Sequence, residues 1–398
     1  MKNIRREQYI AKVRPYIGNS LIKVLIGERR VGKSYILMQL QEIVGVEHPD
    51  WASISINKEL FEFDKIRDYQ DLIKYVIAHK GSGKTALFLD EVQEITGFEK
   101  ALRSFQGEGA YDIYVTGSNA CMLSSELATM LAGRYISIHV YSLSYEEYLV
   151  FNDLEDTDST LLRYMKFGGL PHLCTLPDDE QTQYEYIRTV FSSSILKDIV
   201  ARYNIRNVRF LEDLIAFTAS SVGSIVTANS ISRYLKSQRV EVAPRQVIDY
   251  LTYLQAAFLI DQVKRQDLIG KKIFEIGDKY YFEDVGMRNA RIGYSPSSLG
   301  QILENLVYLH LRQMGYEVTV GKQGDRKIDF VASRNEGKVY VQVAYTIMGQ
   351  AAHDREFGNL RAIKDSYPKY VVSMDGLAGG NEEGVDWWHL RKFLRYFR

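Results

Sequence analysis

The chain has 398 residues with 50 basic and 50 acidic side chains, so its overall charge favours neither a nucleic acid nor a membrane surface as a partner. Two cysteines exclude a disulfide scaffold and a zinc site built from cysteines, and no apolar run approaches the ~18 residues of a membrane span. The N-terminus has no apolar stretch typical of a signal peptide, and we therefore expect a soluble, cytoplasmic protein of several domains.

Short apolar strands alternate with longer amphipathic helices over the first 140 residues. This alternation predicts a parallel sheet covered on both faces, and it makes residues 1–143 a domain of its own. The strands are predicted at 21–26, 51–56, 86–90, 111–116 and 135–140, and the helices at 33–44, 64–79 and 98–106.

The rest of the chain changes pattern three times. Residues 144–205 are helical, residues 206–292 combine three helices with a two-stranded hairpin, and residues 293–398 form a compact α/β unit. The middle pattern predicts a winged helix, a variant of the helix-turn-helix. Its helices are predicted at 208–220, 231–238 and 244–257, and its strands at 258–265 and 271–282. The last unit is predicted to contain helices at 299–314 and 356–365, and strands at 317–321, 327–333, 339–344 and 369–374.

A phosphate-binding loop is predicted between the first strand and the first long helix. Residues 27–34 (GERRVGKS) fit the pattern G-x-x-x-x-G-K-[ST], whose glycines let backbone N–H groups converge on phosphate oxygens. Lys33 is expected to reach the β- and γ-phosphates, and Ser34 to ligate Mg²⁺. The predicted nucleotide-binding residues are Gly27, Arg29, Arg30, Val31, Gly32, Lys33, Ser34, Tyr35, Ser118 and Pro171.

A buried strand that ends in two acidic residues supports this interpretation. Asp90 would lie at the carboxyl edge of the sheet beside the phosphates and hold Mg²⁺, and Glu91 would orient and deprotonate the attacking water. The two motifs together predict ATP hydrolysis with ATP and Mg²⁺ as cofactors.

Polar side chains at two further positions complete the predicted catalytic set. Ser118 and Asn119 end the next strand, where one of them could hydrogen-bond the γ-phosphate or the water. Arg134 precedes the fifth strand and could stabilise transition-state charge, either in its own chain or across a subunit contact. A surface arginine in an ion pair is the alternative.

The order of these motifs resembles the AAA+ ATPases, and more closely a prokaryotic AAA-type ATPase family. The resemblance is carried by residues 27–34 (GERRVGKS), 89–93 (LDEVQ), 116–119 (TGSN), 131–134 (LAGR) and 167–171 (FGGLP). It implies an AAA+ parallel sheet with a helical lid at 144–205, then a winged helix, then a C-terminal domain of unknown function with a restriction-endonuclease-like core. It also implies that Pro171 lies near the adenine.

The restriction-endonuclease-like nucleases combine a helix glutamate, a strand aspartate and a Glu-x-Lys on the following strand. Here Glu304 and Asp329 match the first two positions, whereas Gln342 replaces the second carboxylate and Ala344 replaces the lysine. Gln342 could still coordinate weakly through its carbonyl oxygen, but Ala344 cannot replace a cation that activates water.

Cleavage would therefore need another basic group, such as Lys327 or Lys338, to reach into the site. We expect a nuclease-like fold that has lost its activity.

The sequence leaves three functions open. Residues 206–398 carry 27 basic and 22 acidic side chains, which favours an ATPase that couples its nucleotide state to DNA or RNA. Arg245, Gln246 and Asp249 would start a recognition helix in such a protein. The lost nuclease lysine favours instead a nucleotide switch that regulates a protein partner. An ATP-regulated nuclease is the third alternative, and the oligomeric state is left open.

Overall fold

The computed structural model describes residues 4–119, 131, 133–268, 277–335, 337–376 and 379–398, which form two compact units. Unit 1 comprises Met1–Tyr141 with Ala256–Phe258, and unit 2 comprises Ser142–Gln255 with Leu259–Arg398. None of the helices in the described part of the chain is long and apolar enough to cross a membrane.

Unit 1 is a parallel sheet with helices packed on it. Its described elements are α1 (Glu7–Val13), β1 (Ile22–Ile26), α2 (Lys33–Glu47), β2 (Ala52–Asn57), α3 (Tyr69–His79), β3 (Thr85–Asp90), α4 (Phe98–Glu108), β4 (Tyr111–Gly117) and β5 (Tyr135–His139). The five strands are all parallel, in the order β2-β3-β4-β1-β5. Every residue of β1, β3 and β4 is buried, as expected for central strands that are covered on both faces.

This strand order positions the predicted site. The strand β4 lies between β1 and β3, so the chain after β4 emerges between the phosphate loop and the acidic strand end. Because the strands are parallel, their carboxyl ends meet at one edge of the sheet. The predicted strands of this half are confirmed to within one residue at each end.

Unit 2 begins with helices and ends with a mixed sheet. Its helices are α5 (Tyr145–Asn152), α6 (Asp158–Phe167), α7 (Glu180–Ser194) with a π-helical continuation (Ile195–Ala201), α8 (Val208–Ser220), α9 (Ala228–Ser237), α10 (Pro244–Ala256), α11 (Val285–Ile292), α12 (Leu299–Gln313), α13 (Gln350–Arg361) and α14 (Leu390–Tyr396). Its strands are β6 (Ile260–Val263), β7 (Arg265–Asp267), β8 (Lys279–Phe282), β9 (Glu317–Gln323), β10 (Arg326–Arg334), β11 (Gly337–Val343), β12 (Lys369–Ser373), β13 (Gly380–Glu382) and β14 (Val385–His389).

The hairpin of unit 2 differs from the predicted one. The strands β6 and β8 pair antiparallel, but β7 leaves this pair and becomes the edge strand of the seven-stranded sheet, in the order β13-β14-β12-β11-β10-β9-β7. The predicted strand at 258–265 is therefore divided between two sheets. Of the predicted strand at 271–282, residues 271–276 lie outside the described residues.

A buried ion pair joins two central strands of unit 1. Lys23 on β1 and Asp112 on β4 are both fully buried, and the Lys23 ammonium donates to the Asp112 carboxylate. That carboxylate also accepts hydrogen bonds from the Tyr114 hydroxyl at 2.7 Å and from the backbone N–H of Gly18 at 3.0 Å. Burial lowers the pKa of Lys23, and the charge of Asp112 opposes this shift.

We expect Asp112→Ala to lower the free energy of unfolding of unit 1 by about 3–5 kcal/mol, because it leaves the Lys23 charge buried without its partner. Chemical denaturation of the parent protein and of the Asp112→Ala variant measures this difference. The matched control is Glu47→Ala, since Glu47 forms a surface ion pair with Arg14 at 3.1 Å and should contribute less than about 1 kcal/mol. Equal losses in the two variants would contradict the assignment.

Candidate active site

The phosphate loop connects β1 to α2, as the motif requires. Gly27 has a φ of 146°, and a Cβ atom there would lie 2.1 Å from the carbonyl oxygen of Val140, so no side chain fits. Gly32 precedes α2 with a φ of 96°, a conformation that glycine adopts without strain. The loop thus turns closely in front of the helix N-terminus, where N–H groups and the helix dipole favour an anion.

Lys33 is the first residue of α2, and its side chain lies within the loop. The ammonium donates to the carbonyl oxygens of Gly27 at 3.0 Å and of Glu28 at 2.7 Å. Lys33 is only 4% exposed. The loop therefore holds a buried positive charge between the two glycines that shape it.

The other predicted loop residues have different environments. Arg29 is partly buried and lies 4.0 Å from the carboxylate of Glu59, whereas Arg30 and Tyr35 are exposed. Val31 is buried, and its backbone carbonyl faces the N-terminal helix segment.

Arg6, directly before α1, holds the phosphate loop in place, a role that the sequence did not predict. Its guanidinium donates to the carbonyl oxygens of Val31 at 2.8 Å and of Tyr141 at 3.0 Å, and it stacks over the ring of Tyr9. Arg6 is only 3% exposed. Arg6 lies 25 residues before Val31 in the chain, and no local sequence pattern predicts a contact between them. This role is therefore visible only in the structure.

Asp90 lies where the acidic strand approaches the phosphate loop. Its carboxylate accepts hydrogen bonds from the hydroxyls of Thr116, at the end of β4, and of Ser34, in α2. Burial raises the pKa of Asp90, and these two hydrogen bonds oppose the rise. Hydroxyl and carboxylate oxygens are the donors that Mg²⁺ prefers, so Ser34 and Asp90 fit the predicted metal.

Glu91 turns away from β3 in a left-handed conformation with a φ of 54°. Its backbone N–H donates to the Thr116 hydroxyl at 2.9 Å, and its carboxylate accepts hydrogen bonds from Gln93 and, at 3.1 Å, from the Ser118 hydroxyl. Burial alone would raise the pKa of Glu91. The charges of Lys33 and Arg29, with the two side-chain hydrogen bonds, outweigh burial and hold this pKa below its usual value.

Ser118 and Asn119 are both fully buried directly after β4. The Ser118 hydroxyl contacts the carboxylate of Glu91. Gln93, which was not among the predicted site residues, contacts the same carboxylate.

Arg134 lies at the amino end of the parallel strands, opposite to the end at which the phosphate loop follows β1. It directly precedes β5, and its carbonyl oxygen accepts a hydrogen bond from the N–H of Ile22, at the start of β1. The phosphate loop follows the other end of β1, roughly 16 Å away along a strand of this length. Because an arginine side chain is shorter than that distance, this position favours action on another chain over action within its own chain.

Pro171 lies in unit 2, where it begins a short 3₁₀-helix (Pro171–Thr175). The glycines before it are held by the buried carboxylate of Asp284, which accepts a hydrogen bond from the N–H of Gly169 at 2.8 Å. A Cβ atom on Gly168 would lie 2.1 Å from the same carboxylate. Asp284 therefore fixes the glycine turn, a role with no signal in the sequence.

The nuclease-like residues of unit 2 do lie together, but around an unpredicted lysine. Lys279 on β8 lies 2.7 Å from the carboxylate of Glu304 and 3.1 Å from that of Asp329. The side-chain oxygen of Gln342 accepts a hydrogen bond from the backbone N–H of Asp329 at 3.2 Å. This oxygen, which the sequence offers as a weak metal ligand, is thus used in a hydrogen bond to the backbone.

The two lysines proposed as replacements point elsewhere. Lys327 is exposed, and Lys338 forms an ion pair with Asp365 at 3.3 Å. The basic group that reaches the two carboxylates comes from the hairpin instead.

Comparisons with known proteins agree with this architecture. Residues 19–149 match the model of an AAA domain, and residues 158–298 match that of a domain of unknown function (DUF8612). An uncharacterized protein of Haemophilus influenzae is 34% identical over 379 residues, which are 93% of each chain. An uncharacterized protein of Methanocaldococcus jannaschii is 30% identical over 360 residues, which are 86% of this chain and 79% of that one.

A Walker-type ATPase of Pyrococcus abyssi has a similar solved structure. The match has a TM-score of 0.50 and 14% sequence identity, and it covers 72% of this chain and 95% of that chain. This likeness shows a shared fold.

We expect Arg6→Met to lower the free energy of unfolding of unit 1 by roughly 2–3 kcal/mol, because hydrogen bonds from a charged donor to two buried carbonyls are lost. Hydrogen exchange of the loop amides at 27–34 should speed up in the same variant. Arg5→Met is the control, since Arg5 is exposed beside Arg6. Unchanged loop exchange in Arg6→Met would show that α1 does not support the loop.

Proposed function

We propose that the protein is a Mg²⁺-dependent ATPase. The chain belongs to the family that includes the uncharacterized proteins of Haemophilus influenzae and Methanocaldococcus jannaschii. Its unit 1 has the AAA+ fold. The observation that supports the proposal most directly is the Thr116 hydroxyl. It donates to Asp90 and accepts from the N–H of Glu91, so it fixes the proposed metal ligand and the proposed base relative to each other.

The loop and the acidic strand end would bind the substrate in the following way. Backbone N–H groups between Gly27 and Gly32 bind the phosphates of ATP, and the Lys33 ammonium exchanges its carbonyl partners for the β- and γ-phosphates. Ser34 and Asp90 would hold Mg²⁺, which would supply positive charge to offset the negative charge on the phosphates.

Glu91 would orient the attacking water and accept its proton. Its lowered pKa keeps the carboxylate ionised at neutral pH, as a base requires. The hydrogen bonds from Gln93 and Ser118 hold the carboxylate in one orientation. Asn119, which directly follows Ser118 in the chain, would bind the γ-phosphate or the water.

Two more distant residues would complete the site. We propose that Arg134 stabilises transition-state charge on a neighbouring chain, because it lies at the end of the strands opposite to its own phosphate loop. Pro171, in the turn that Asp284 fixes, would contact the base of the nucleotide.

A nucleic acid is the second part of the proposal, and helix α10 supports it. At its start Arg245 and Asp249 are exposed and Gln246 is partly exposed, whereas Val247 is buried. Together with the net positive charge of residues 206–398, this surface favours DNA or RNA over a protein partner.

The experiment that separates these partners is ATP turnover with and without duplex and single-stranded DNA, at two salt concentrations. DNA stimulation that falls steeply with salt would support the nucleic-acid partner, because phosphate contacts release counterions. The Arg245→Ala variant should lose most of this stimulation and keep its basal turnover. Turnover that DNA leaves unchanged would favour the nucleotide switch with a protein partner.

We expect Lys33→Ala and Glu91→Gln to separate binding from turnover. Lys33→Ala should abolish tight ATP binding in calorimetry, whereas Glu91→Gln should keep it and lose about 10²–10⁴-fold in turnover, because only the base is removed. Intact affinity in the first variant or parental turnover in the second would each refute the role assigned to that residue.

Gln93→Leu should lower kcat about tenfold with little change in KM for ATP, because one hydrogen bond to the Glu91 carboxylate is lost. Steady-state kinetics measure both constants. Gln41→Leu is a matched control, since the Gln41 amide donates to the Ser53 hydroxyl at 3.2 Å on the exposed side of α2. Equal loss in both variants would show that Gln93 does not act through Glu91.

A further inference from the structure

The two acidic residues of the nuclease-like constellation share one buried ammonium. Lys279, at the start of β8, is 5% exposed at its side chain and lies within hydrogen-bond distance of both Glu304 and Asp329. The hydroxyl of Tyr281 donates to the same Glu304 oxygen at 2.6 Å. The ammonium is thus bound between two carboxylates, the arrangement in which metal-dependent nucleases place a divalent cation.

Asp329 and Gln342 make further hydrogen bonds around this ammonium. The second oxygen of Asp329 accepts a hydrogen bond from the N–H of Val343 at 3.1 Å, and Gln342 is bonded to the backbone of Asp329. A Cβ atom on Gly223 would lie 2.4 Å from the second oxygen of Glu304, so the chain closes that side as well. Within the described residues, no group of three or more histidine, cysteine or acidic side chains could hold a metal.

The hairpin that carries Lys279 is docked along helix α12. The side-chain amide of Asn305 pairs with the backbone of Phe282 through two hydrogen bonds, of 2.9 Å and 2.8 Å. The hydroxyl of Tyr308, one turn further along the helix, donates to Asp261 on β6. The ring of Tyr281 stacks on that of Tyr308 with centroids 4.5 Å apart.

From this geometry we propose that Lys279 is an internal cation that takes the place of a divalent metal and fastens the hairpin β6–β8 to the C-terminal sheet. The carboxylates of Glu304 and Asp329 then serve as a docking site for the hairpin, and the C-terminal sheet has no metal-dependent nuclease activity. This inference concerns unit 2 alone and does not depend on the proposed ATPase function.

The test is the Lys279→Met variant, which keeps the length of the side chain and removes its charge. We expect its Tm to fall by about 10 °C, because two buried carboxylates lose their shared partner. We also expect one new Mn²⁺ site, at least about tenfold tighter than any in the parent, that raises the Tm again when it is filled. Electron paramagnetic resonance of free Mn²⁺, without nucleotide, measures the binding.

Two further variants make the result specific. Lys279→Met combined with Asp329→Asn should lose the new Mn²⁺ site, which distinguishes it from binding at Asp90. Lys338→Met, which removes the partner of Asp365 on the same sheet, should gain no site and change the Tm little.

The parent chain provides a second measurement that does not require the variant to fold. Mn²⁺ binding or Mn²⁺-dependent DNA cleavage by the parent that Asp329→Asn abolishes would overturn the proposal. A folded Lys279→Met chain that gains no Mn²⁺ site would overturn it too. Absence of an Asp329-dependent Mn²⁺ site in the parent supports it.

Discussion

A single hydroxyl connects the parts of the candidate active site. Thr116 ends the strand that lies between the phosphate loop and the acidic strand, and it bonds both to the Asp90 carboxylate and to the backbone of Glu91. Two adjacent acidic residues would repel each other if both faced the same cation site. The bond to Thr116 directs Asp90 toward Ser34, while the left-handed backbone of Glu91 directs its carboxylate toward Ser118. The two carboxylates can then perform different tasks.

The same arrangement separates their proton affinities. Burial raises the pKa of Asp90, and a bound metal ion would oppose this rise by favouring the anion. At Glu91 burial acts in the same direction, but the charges of Lys33 and Arg29 and two hydrogen bonds outweigh it and lower the pKa. Neighbouring acidic groups whose pKa values are driven apart are typical of acid–base sites. The order of the strands in the sheet, rather than the spacing of residues in the sequence, brings the charges of Lys33 and Arg29 close to Glu91.

How much the sequence could predict depends on whether a feature is local. The phosphate loop and the acidic strand end were predictable because each motif is contiguous and lies between a strand and a helix. The helix predicted at 356–365 was wrong in its bounds, since α13 runs from Gln350 to Arg361 and begins with a polar, alanine-containing turn without an apolar stripe. The strands β13 and β14 were missed because they are short, and glycine and glutamate residues between them read as a loop. Arg6, Asp284 and Lys279 act on partners far away in the sequence, and such contacts leave no periodic pattern.

Lys33 and Lys279 show how the environment decides what one residue type can do. Both ammonium groups are buried, and Lys33 donates to the backbone carbonyls of Gly27 and Glu28. Its positive charge also acts on Glu91, whose pKa it lowers, and would act on a bound phosphate. Lys279 lies between two carboxylates: burial alone would lower its pKa, but the charges and hydrogen bonds of Asp329 and Glu304 together outweigh burial and raise it. A lysine that donates to the carbonyls of a phosphate loop is placed to bind a phosphate ligand, whereas a lysine held between two carboxylates cannot leave without depriving both of their shared partner. That asymmetry is why we assign binding to the first lysine and fastening to the second.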